Sequence, residues 1–187
     1  MKRLFIALPI PETITKILLG RISLLVRTLP DVRMVPMHNW HITLRFLGNC
    51  THEDARVLEH IICETAQRHT APELSIRSIR YGPPGPIARM IWAVGTSQPF
   101  IPIRESIDGM IDEFKLRPDA AARPLKLHVT LARFSRILPV ATLPPIQEKV
   151  VAQDSIDRIM LMESLLLPKG AHYTCLRSAH FRNGDQT

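Results

Sequence analysis

The chain has 187 residues, 45% of them hydrophobic and 22% charged, which is typical of a globular protein that buries one sizeable core. Its 24 basic and 17 acidic residues leave a net charge of +7. This balance favours anionic partners such as nucleic acid or phosphorylated small molecules. The sequence has no run of five or more basic residues, which argues against a basic tail. No stretch reaches the ~18 apolar residues that a membrane span needs, so no membrane partner is predicted.

Cysteine usage and the N-terminal sequence bear on the cellular compartment. Cys50, Cys63 and Cys175 are odd in number and include no CxxC pair, which argues against a disulfide framework or a thiol zinc site and favours a reducing cytoplasm. The opening "MKRLFIALPIPE" has only a short apolar run, which ends in prolines. We interpret it as a first β-strand rather than a signal peptide.

The first half of the chain alternates predicted strands and helices. After the first strand, Pro11 and Glu12 suit the first turn of a helix, and apolar residues at helical spacing over 14–29 form its buried stripe. "VRMVP" predicts a short strand and "HITLRFL" a longer one. Thr51 and Asp54 then predict a capping box at the start of a second helix.

The second half is divided by prolines and loops. "LSIRSIRY" and "ARMIWAV" predict two strands, apolar spacing from Phe100 to Phe114 predicts a third helix, and "LRPDAAARPLK" predicts a loop before the strand "HVTLARF". A short helix is predicted to begin near Pro145 and to cover 146–151. "IDRIMLMESLLL" and "YTCLRSAHF" predict the last two strands, with Lys169–Gly170 as their hairpin turn.

The pattern His-x-Thr-Leu occurs twice, in "HITLRFLG" at 41–48 and in "HVTLARF" at 128–134. Each copy begins a predicted strand that is followed by a predicted helix and two more strands. This repetition predicts an α+β fold of two similar lobes, each offering one motif, within one domain over residues 1–187.

Strand alternation places the polar motif side chains together. It puts His41, Thr43 and Arg45 on one face of the first strand, with Ile42, Leu44 and Phe46 on the other. His128 and Thr130 share a face of the second strand in the same way. A histidine exchanges protons near neutrality, and a threonine hydroxyl donates to a phosphoryl oxygen. Two such strands facing each other suit acid–base attack by water on a phosphodiester, with no metal.

One His-x-Thr strand alone is usually only a strand. Here two of the eight histidines share the same threonine, leucine and β-branched neighbours. Both motifs are also followed by arginine and phenylalanine, although the spacing is one residue longer in the second. The repetition favours catalysis over coincidence.

These segments resemble the two-histidine (2H) phosphoesterases, and within them the bacterial RNA 2′,3′-cyclic phosphodiesterases, also called 2′-5′ RNA ligases. "RLFIALPIPE" is similar to the opening strand of that family, "NWHITLRFLG" and "HVTLAR" to its two motif blocks, and "ESLLLPKGAHYTCL" to its closing hairpin. The resemblance covers nearly the whole chain. It implies a bilobal α+β fold with two antiparallel sheets facing a central cleft and helices outside.

The resemblance also implies an activity and roles for residues. The expected reaction is hydrolysis of a terminal 2′,3′-cyclic phosphate on RNA to a 2′-phosphate, without a cofactor, together with reversible 2′-5′ ligation. His41 would be the proton donor and His128 the proton acceptor, with Thr43 and Thr130 beside them. Arg133 falls where the family often has a phosphate-contacting arginine; alternation turns it to the apolar face, so a bulge or strand end is predicted there.

Further substrate contacts are predicted around the motifs. Arg117, Arg123 and Lys126 are candidates for binding an RNA backbone, and Arg45 is a further candidate substrate contact. Tyr173, Trp40 and Phe46 are candidates for stacking on a base, although core packing is favoured for Phe46. The remaining histidines show no ligand spacing backed by carboxylates, so no metal is assigned. Leu127 stands where family members often have proline.

Two alternatives remain open at this stage. A non-catalytic RNA-binding module would keep the cleft, although binding alone requires no pair of titratable groups. A 2H enzyme that acts on a small cyclic nucleotide would use the same four residues as an enzyme that acts on RNA ends. The sequence does not separate these two substrates, and it indicates no obligate protein partner.

Overall fold

A computed structural model describes residues 1–121, 123–146, 148–167 and 170–182. In chain order the elements are β1 (Lys2–Pro9), α1 (Glu12–Thr28), β2 (Val32–Met34), β3 (His41–Cys50), α2 (His52–Arg68), β4 (Glu73–Gly82), β5 (Ile87–Gly95), α3 (Ile101–Glu113), β6 (His128–Pro139), β7 (Glu148–Ser155), β8 (Arg158–Leu167) and β9 (Gly170–His180). Within these ranges, no helix is long and apolar enough to cross a membrane.

The strands form two antiparallel sheets, which confirms the α+β class and the two-lobed arrangement. One sheet has the order β3-β1-β8-β9 and the other the order β2-β6-β5-β4-β7. The two His-x-Thr motifs therefore begin strands of different sheets, β3 and β6, and these two strands approach each other.

The helices pack on the sheets through the apolar stripes that the sequence predicts. α2 covers the four-stranded sheet, whereas α1 packs against β2, β6 and β7 of the five-stranded sheet. Ile14, Leu18 and Ile22 of α1 are fully buried, but Ile17 is 42% exposed. Each such buried aliphatic side chain contributes about 1.5–3 kcal/mol to folding. Apolar residues from both sheets join in one buried cluster.

The capping box predicted at the start of α2 is confirmed. The backbone N–H of Asp54 donates to Thr51 Oγ1 at 3.1 Å, and the backbone N–H of Thr51 donates to Asp54 Oδ2 at 2.8 Å. Two N–H groups that the first helical turn leaves without partners are thereby satisfied. α2 accordingly begins directly after β3, which fixes the end of the first motif strand.

The helix predicted over 146–151 is wrong. Residues 148–155 form the strand β7, which pairs with β4 at positions such as Ile76 and Ala152. Exposure alternates along it, since Val151 is 85% exposed and Ala152 only 3%. The reason is tertiary: the free edge of β4 offers backbone partners to a segment that includes β-branched valines. The second motif is thus followed by a strand, and the two halves do not repeat element for element.

The closing hairpin is described up to its turn. β8 and β9 pair antiparallel along their lengths, from Arg158 opposite His180 to Leu167 opposite Gly170. Lys169, half of the predicted turn, lies outside the described residues. The pairing places Tyr173 of β9 opposite Ser164 of β8. The strand β8 in turn lies next to β1 in the sheet.

Candidate active site

Each motif strand carries a β-bulge at the leucine of His-x-Thr-Leu. In β3, Thr43 lies opposite Ala7 and Arg45 opposite Ile6, so Leu44 is the extra residue. In β6 the register with β5 shifts by one residue between Thr130 and Ala132 in the same way. A bulge reverses the alternation of side chains beyond it. The residues after each leucine therefore face opposite to the direction that simple alternation predicts.

The bulge in β6 turns Arg133 toward the histidines, which confirms the bulge predicted there. The side chain of Arg133 is exposed and lines a cavity together with His41 and His128. Its Nη1 lies 3.3 Å from the sulfur of Met90 on the neighbouring strand. A permanent positive charge therefore stands beside both imidazoles.

The bulge in β3 has the opposite consequence for Arg45, and the prediction that Arg45 shares a face with His41 is wrong. Arg45 is only 7% exposed, and its Nε lies 3.1 Å from Asp108 Oδ1 on α3. Phe46 takes the place on the cleft face, where it lines a small cavity beside His41 and Thr43. Counted from the bulges, Phe46 rather than Arg45 corresponds to Arg133, so the shared arginine and phenylalanine after the two motifs are not structural equivalents.

The two motifs meet in one open cavity of about 910 Å³, here called the histidine cavity. It is defined by the motif side chains and Arg133, namely His41, Thr43, His128, Thr130 and Arg133. Tyr173, predicted to contact substrate, lines the same cavity, as do His38 and His172. Trp40 does not line it: this side chain is buried, and its Nε1 donates to the carbonyl of Val35 at 2.9 Å.

Both histidines are oriented by the backbone in the same way. Nδ1 of His41 lies 2.8 Å from the carbonyl oxygen of Asn39, and Nδ1 of His128 lies 2.9 Å from that of Lys126. A carbonyl oxygen only accepts, so each Nδ1 carries the proton and donates it. The Nε2 atoms are then left for proton exchange, because the partner of one ring nitrogen sets the role of the other.

Aromatic side chains pack against both imidazole rings. The ring of Trp92 lies over that of His128 with a centroid distance of 4.1 Å and a 31° interplanar angle. Tyr173 meets His41 edge to face at 5.2 Å, and Phe5 lies 5.0 Å from it. Sequence reasoning missed Trp92 and Phe5. Alternation along β1 places Phe5 on the same face of the strand as Arg3, and this was the sequence signal that could have placed Phe5 at the site.

The surroundings lower the pKa of both histidines. Burial is the main cause for His41, and the nearby His128 and Arg133 lower its pKa further, while the bond to the Asn39 carbonyl opposes this. The pKa of His128 is lowered first by burial and then by Arg133, against the bond to the Lys126 carbonyl. Both causes disfavour the imidazolium form. Without a bound anion the neutral form of each ring is therefore favoured.

Comparison with known proteins agrees with this geometry. The profile of the family described as LigT-like phosphoesterase matches residues 12–92. An RNA 2′,3′-cyclic phosphodiesterase of Thermus thermophilus is 29% identical over 188 residues, covering 96% of this chain and 90% of its own. One from Methanothermobacter thermautotrophicus is 26% identical over 149 residues, covering 77% of this chain and 79% of its own.

The chain is thus similar to the LigT-like phosphoesterases, whose family profile matches less than half of its length. A crystal structure of a Thermus thermophilus protein superimposes with a TM-score of 0.84 at 26% identity, covering 97% of this chain and 98% of that one. The crystal structure of E. coli LigT complexed with 3′-AMP gives a TM-score of 0.69 at 19% identity, covering 97% and 98% of the two chains. The second likeness shows the shared fold.

Leu127, which stands where the family that the sequence resembles often has proline, is held by two contacts. Its backbone N–H donates to Ser97 Oγ at 3.0 Å, and its side chain is buried in the core. A proline has no N–H and would lose this bond. The leucine thus ties the entrance of β6 to the end of β5, directly before His128.

The loop cations that the sequence predicts to contact RNA do not line the histidine cavity. Arg123 and Lys126 line a second cavity, together with Arg45. This second cavity touches the motif residues at Thr43 and His128. Among the described residues, no three His, Cys, Asp or Glu side chains are grouped to hold a metal ion. Metal independence of this protein stays a prediction.

The lowered histidine pKa values predict that acid weakens the fold. An unfolded chain takes up protons near pH 6.5, before the folded histidines do, so the free energy of unfolding falls as pH drops from about 6.5 through their lowered folded pKa values. Replacing both histidines with glutamine removes this contribution and flattens the pH dependence. Urea unfolding of both proteins at about pH 8 and pH 5 measures it. Equal slopes for the two proteins would contradict the burial-lowered pKa values.

Proposed function

We propose that this protein is a LigT-like phosphoesterase that hydrolyses the 2′,3′-cyclic phosphate at the end of an RNA to a 2′-phosphate. The observation that carries the proposal is the matched pair of histidines, each with Nδ1 bound to a carbonyl oxygen two residues earlier, on one cavity with two threonines and Arg133. The relatives named RNA 2′,3′-cyclic phosphodiesterase support the same substrate class.

The reaction needs a base and an acid at the same time, since water is a weak nucleophile and a ribose alkoxide a poor leaving group. In our proposal Nε2 of His128 takes a proton from water as the water oxygen bonds to phosphorus. The bond from phosphorus to O3′ breaks, and Nε2 of His41 gives its proton to O3′. The product keeps its phosphate on O2′, and the two histidines have exchanged protonation states.

The remaining groups of the cavity act on the phosphate oxygens. Thr43 and Thr130 donate hydrogen bonds to the non-bridging oxygens, one from each sheet. Arg133 offsets the negative charge that grows on these oxygens as water adds. All three side chains line the histidine cavity, so they surround the place where a phosphate contacts both imidazoles.

The negative charge of the substrate favours protonation of one of the two histidines. Without substrate both pKa values are lowered, which favours the neutral form of both rings. A phosphodiester anion placed between the rings favours the imidazolium form and raises both pKa values. Binding therefore draws one proton onto the pair, which then holds one acid and one base. Reverse ligation through a 2′-5′ bond would use the same two groups, with a ribose 5′-hydroxyl in place of water.

The alternative of a non-catalytic RNA-binding module has less support. Binding of a phosphate is served by Arg133 and the threonines alone, and it gains little from two histidines whose pKa values burial lowers. Identical backbone control of both rings fits proton transfer, in which the role of each nitrogen matters.

An assay with identified products tests the proposal. We expect an oligoribonucleotide that ends in a 2′,3′-cyclic phosphate to be converted to the 2′-phosphate, identified by ³¹P NMR and by its resistance to an enzyme specific for 3′-phosphates. A 3′-phosphate product would contradict the assignment of O3′ as the leaving group. No reaction on any cyclic phosphate would favour the binding module.

Chelation gives a separate prediction. Since the proposed acid, base and oxygen-binding groups are all side chains of this protein, the hydrolysis rate should be unchanged after exhaustive dialysis against EDTA. The measurement is the rate before and after chelation, with metal content checked by mass spectrometry. A rate lost on chelation and restored by one divalent ion would overturn the metal-free mechanism.

We also propose a cytoplasmic location. Cys50, Cys63 and Cys175 are all free thiols in the structure, with Cys50 buried. Unpaired thiols fit a reducing compartment, and RNA ends occur there.

A further inference from the structure

A second cavity of about 830 Å³ adjoins the catalytic centre at Thr43 and His128. We call it the basic cavity and define it by its cationic lining residues, Arg3, Arg45, Arg104, Arg123 and Lys126. Its volume is within the range of about 300–1,000 Å³ usual for ligand sites. It is much larger than the attacking water of the proposed hydrolysis needs.

Two of the five cations are paired with one carboxylate, and the other three are not paired. Arg45 and Arg104 share Asp108, with N–O distances of 3.1 Å and 2.6 Å. Arg3, Arg123 and Lys126 form no ion pair within the part of the chain that the structure describes. These three side chains are exposed to solvent, so they can move onto an anion without breaking an ion pair.

Asp119, an acidic residue that lines the basic cavity, forms a hydrogen bond within the wall of that cavity. Asp119 Oδ2 accepts a hydrogen bond from Asn49 Nδ2 at 2.9 Å, and the loop packs so tightly there that a Cβ on Gly48 would lie 1.3 Å from Asp119 Oδ1. Gly48 also has a φ of +80°, which favours glycine. The loop that bears Arg123 and Lys126 is thereby attached to β3, the strand of the first motif.

Arg3 is held at the opposite wall. Its guanidinium lies over the ring of Phe46 at 4.9 Å from the centroid, a cation–π contact that orients it without neutralising it. Arg3 and Phe46 line both the basic cavity and the small cavity beside His41. Cationic side chains thus line the basic cavity both from β1, through Arg3, and from the loop, through Arg123 and Lys126.

We infer that the basic cavity binds the phosphodiester backbone of the nucleotides that precede the cyclic phosphate, so that the preferred substrate is an RNA oligonucleotide and not a mononucleotide. This inference rests on the proposed function. The histidine cavity holds the cyclic phosphate with its ribose and base, since all five catalytic side chains line it. The strand then leaves past Thr43 and His128, where each further phosphate meets Arg3, Arg123 or Lys126.

The experiment compares three substrates: adenosine 2′,3′-cyclic phosphate, the ApA dinucleotide with the same cyclic end, and that dinucleotide with a neutral methylphosphonate linkage. We expect kcat/KM to be about tenfold higher for the dinucleotide than for the mononucleotide, because exposed ion pairs contribute up to about fivefold each. The methylphosphonate should lose this advantage. Rising salt should reduce it as well, since phosphate contacts are salt-dependent.

Two matched double variants locate the effect. Arg123→Ala with Lys126→Ala should bring the dinucleotide-to-mononucleotide ratio of kcat/KM close to one; the Lys126 carbonyl that orients His128 is kept. Arg27→Ala with Arg56→Ala removes the same charge from exposed positions on α1 and α2, and should keep the ratio of the unmodified protein. An equal fall of this ratio in both double variants would show that it depends on net charge alone, and would overturn the basic cavity as a backbone site.

The outcomes separate this inference from the proposed function. Hydrolysis of all three substrates with equal kcat/KM would overturn the basic cavity as a backbone site and leave the phosphodiesterase intact. No hydrolysis of any substrate would refute the proposed function itself. If the Arg123 and Lys126 double variant changed only the joining of two RNA strands, the cavity would hold a second strand, and the inference about the preceding nucleotides would be wrong.

Discussion

We expect replacement of either His41 or His128 with alanine to lower the rate of cyclic phosphate hydrolysis by about 10²–10⁴, the usual contribution of one positioned acid or base. Both variants should remain folded, because each ring lines an open cavity rather than the apolar core. The double variant should lose less than the product of the two single losses, since the groups act together on one transition state. Rates at saturating substrate and thermal melts measure both effects.

The pH dependence of the same set separates proton transfer from simple binding. The unmodified enzyme should show a bell-shaped rate profile, because one histidine must be neutral while the other is protonated; the limbs belong to the pair and not to one residue. Thr43→Ala and Thr130→Ala should lower the rate but keep the bell. His52→Ala, an exposed position at the start of α2, serves as the control. A folded His128→Ala protein with a near-normal rate would refute the two-histidine mechanism.

The second large effect is expected at Trp92, which supports His128. Trp92 is 8% exposed and its ring lies over the imidazole. Trp92→Ala should lower the free energy of unfolding by about 3–5 kcal/mol, as for other large-to-small aromatic substitutions in cores. The freed space also lets the His128 ring turn away from its carbonyl partner, so kcat should fall more than KM rises. Urea unfolding and steady-state kinetics check the two parts.

Trp92→Phe is the matched control. The Nε1 of Trp92 is buried and has no hydrogen-bond partner among the described residues. An unsatisfied buried donor costs about 1–3 kcal/mol, so phenylalanine removes a penalty while it keeps an aromatic face against His128. We expect its stability and kcat to stay close to those of the unmodified protein. Equal damage by phenylalanine and alanine would show that stacking on His128 is not what the tryptophan supplies.

Local signals in the sequence predicted much of this fold. The capping box at Thr51 and Asp54, the helix that begins at Glu12 and the paired motif strands depend on residues close together in the chain, and all three are present. The set of motif side chains followed from repetition together with the family resemblance. Such features carry their own evidence because their partners are neighbours in sequence.

The features that sequence did not predict depend on distant partners. β7 is a strand because it pairs with an edge of β4 that would otherwise be free. No residue pattern within 146–151 predicts this pairing. The bulge at Leu44 was not predicted, so Arg45 was placed on the wrong face; the bulge at Leu131 was, because the resemblance gave Arg133 a role that alternation denied. Trp92 was missed since its contact with His128 joins two strands whose pairing appears only in the folded chain.

The carbonyl oxygens that hold the two histidines have a consequence for how this site tolerates mutation. Asn39 and Lys126 orient the imidazoles through an atom that every amino acid possesses. Replacing either side chain therefore leaves the orientation of both imidazoles unchanged. Enzymes that orient a catalytic histidine with a carboxylate can lose that orientation through one nucleotide change, whereas here only a change in the path of the main chain removes it. The orientation of the two imidazoles is thus encoded in the two histidine codons and the path of the main chain.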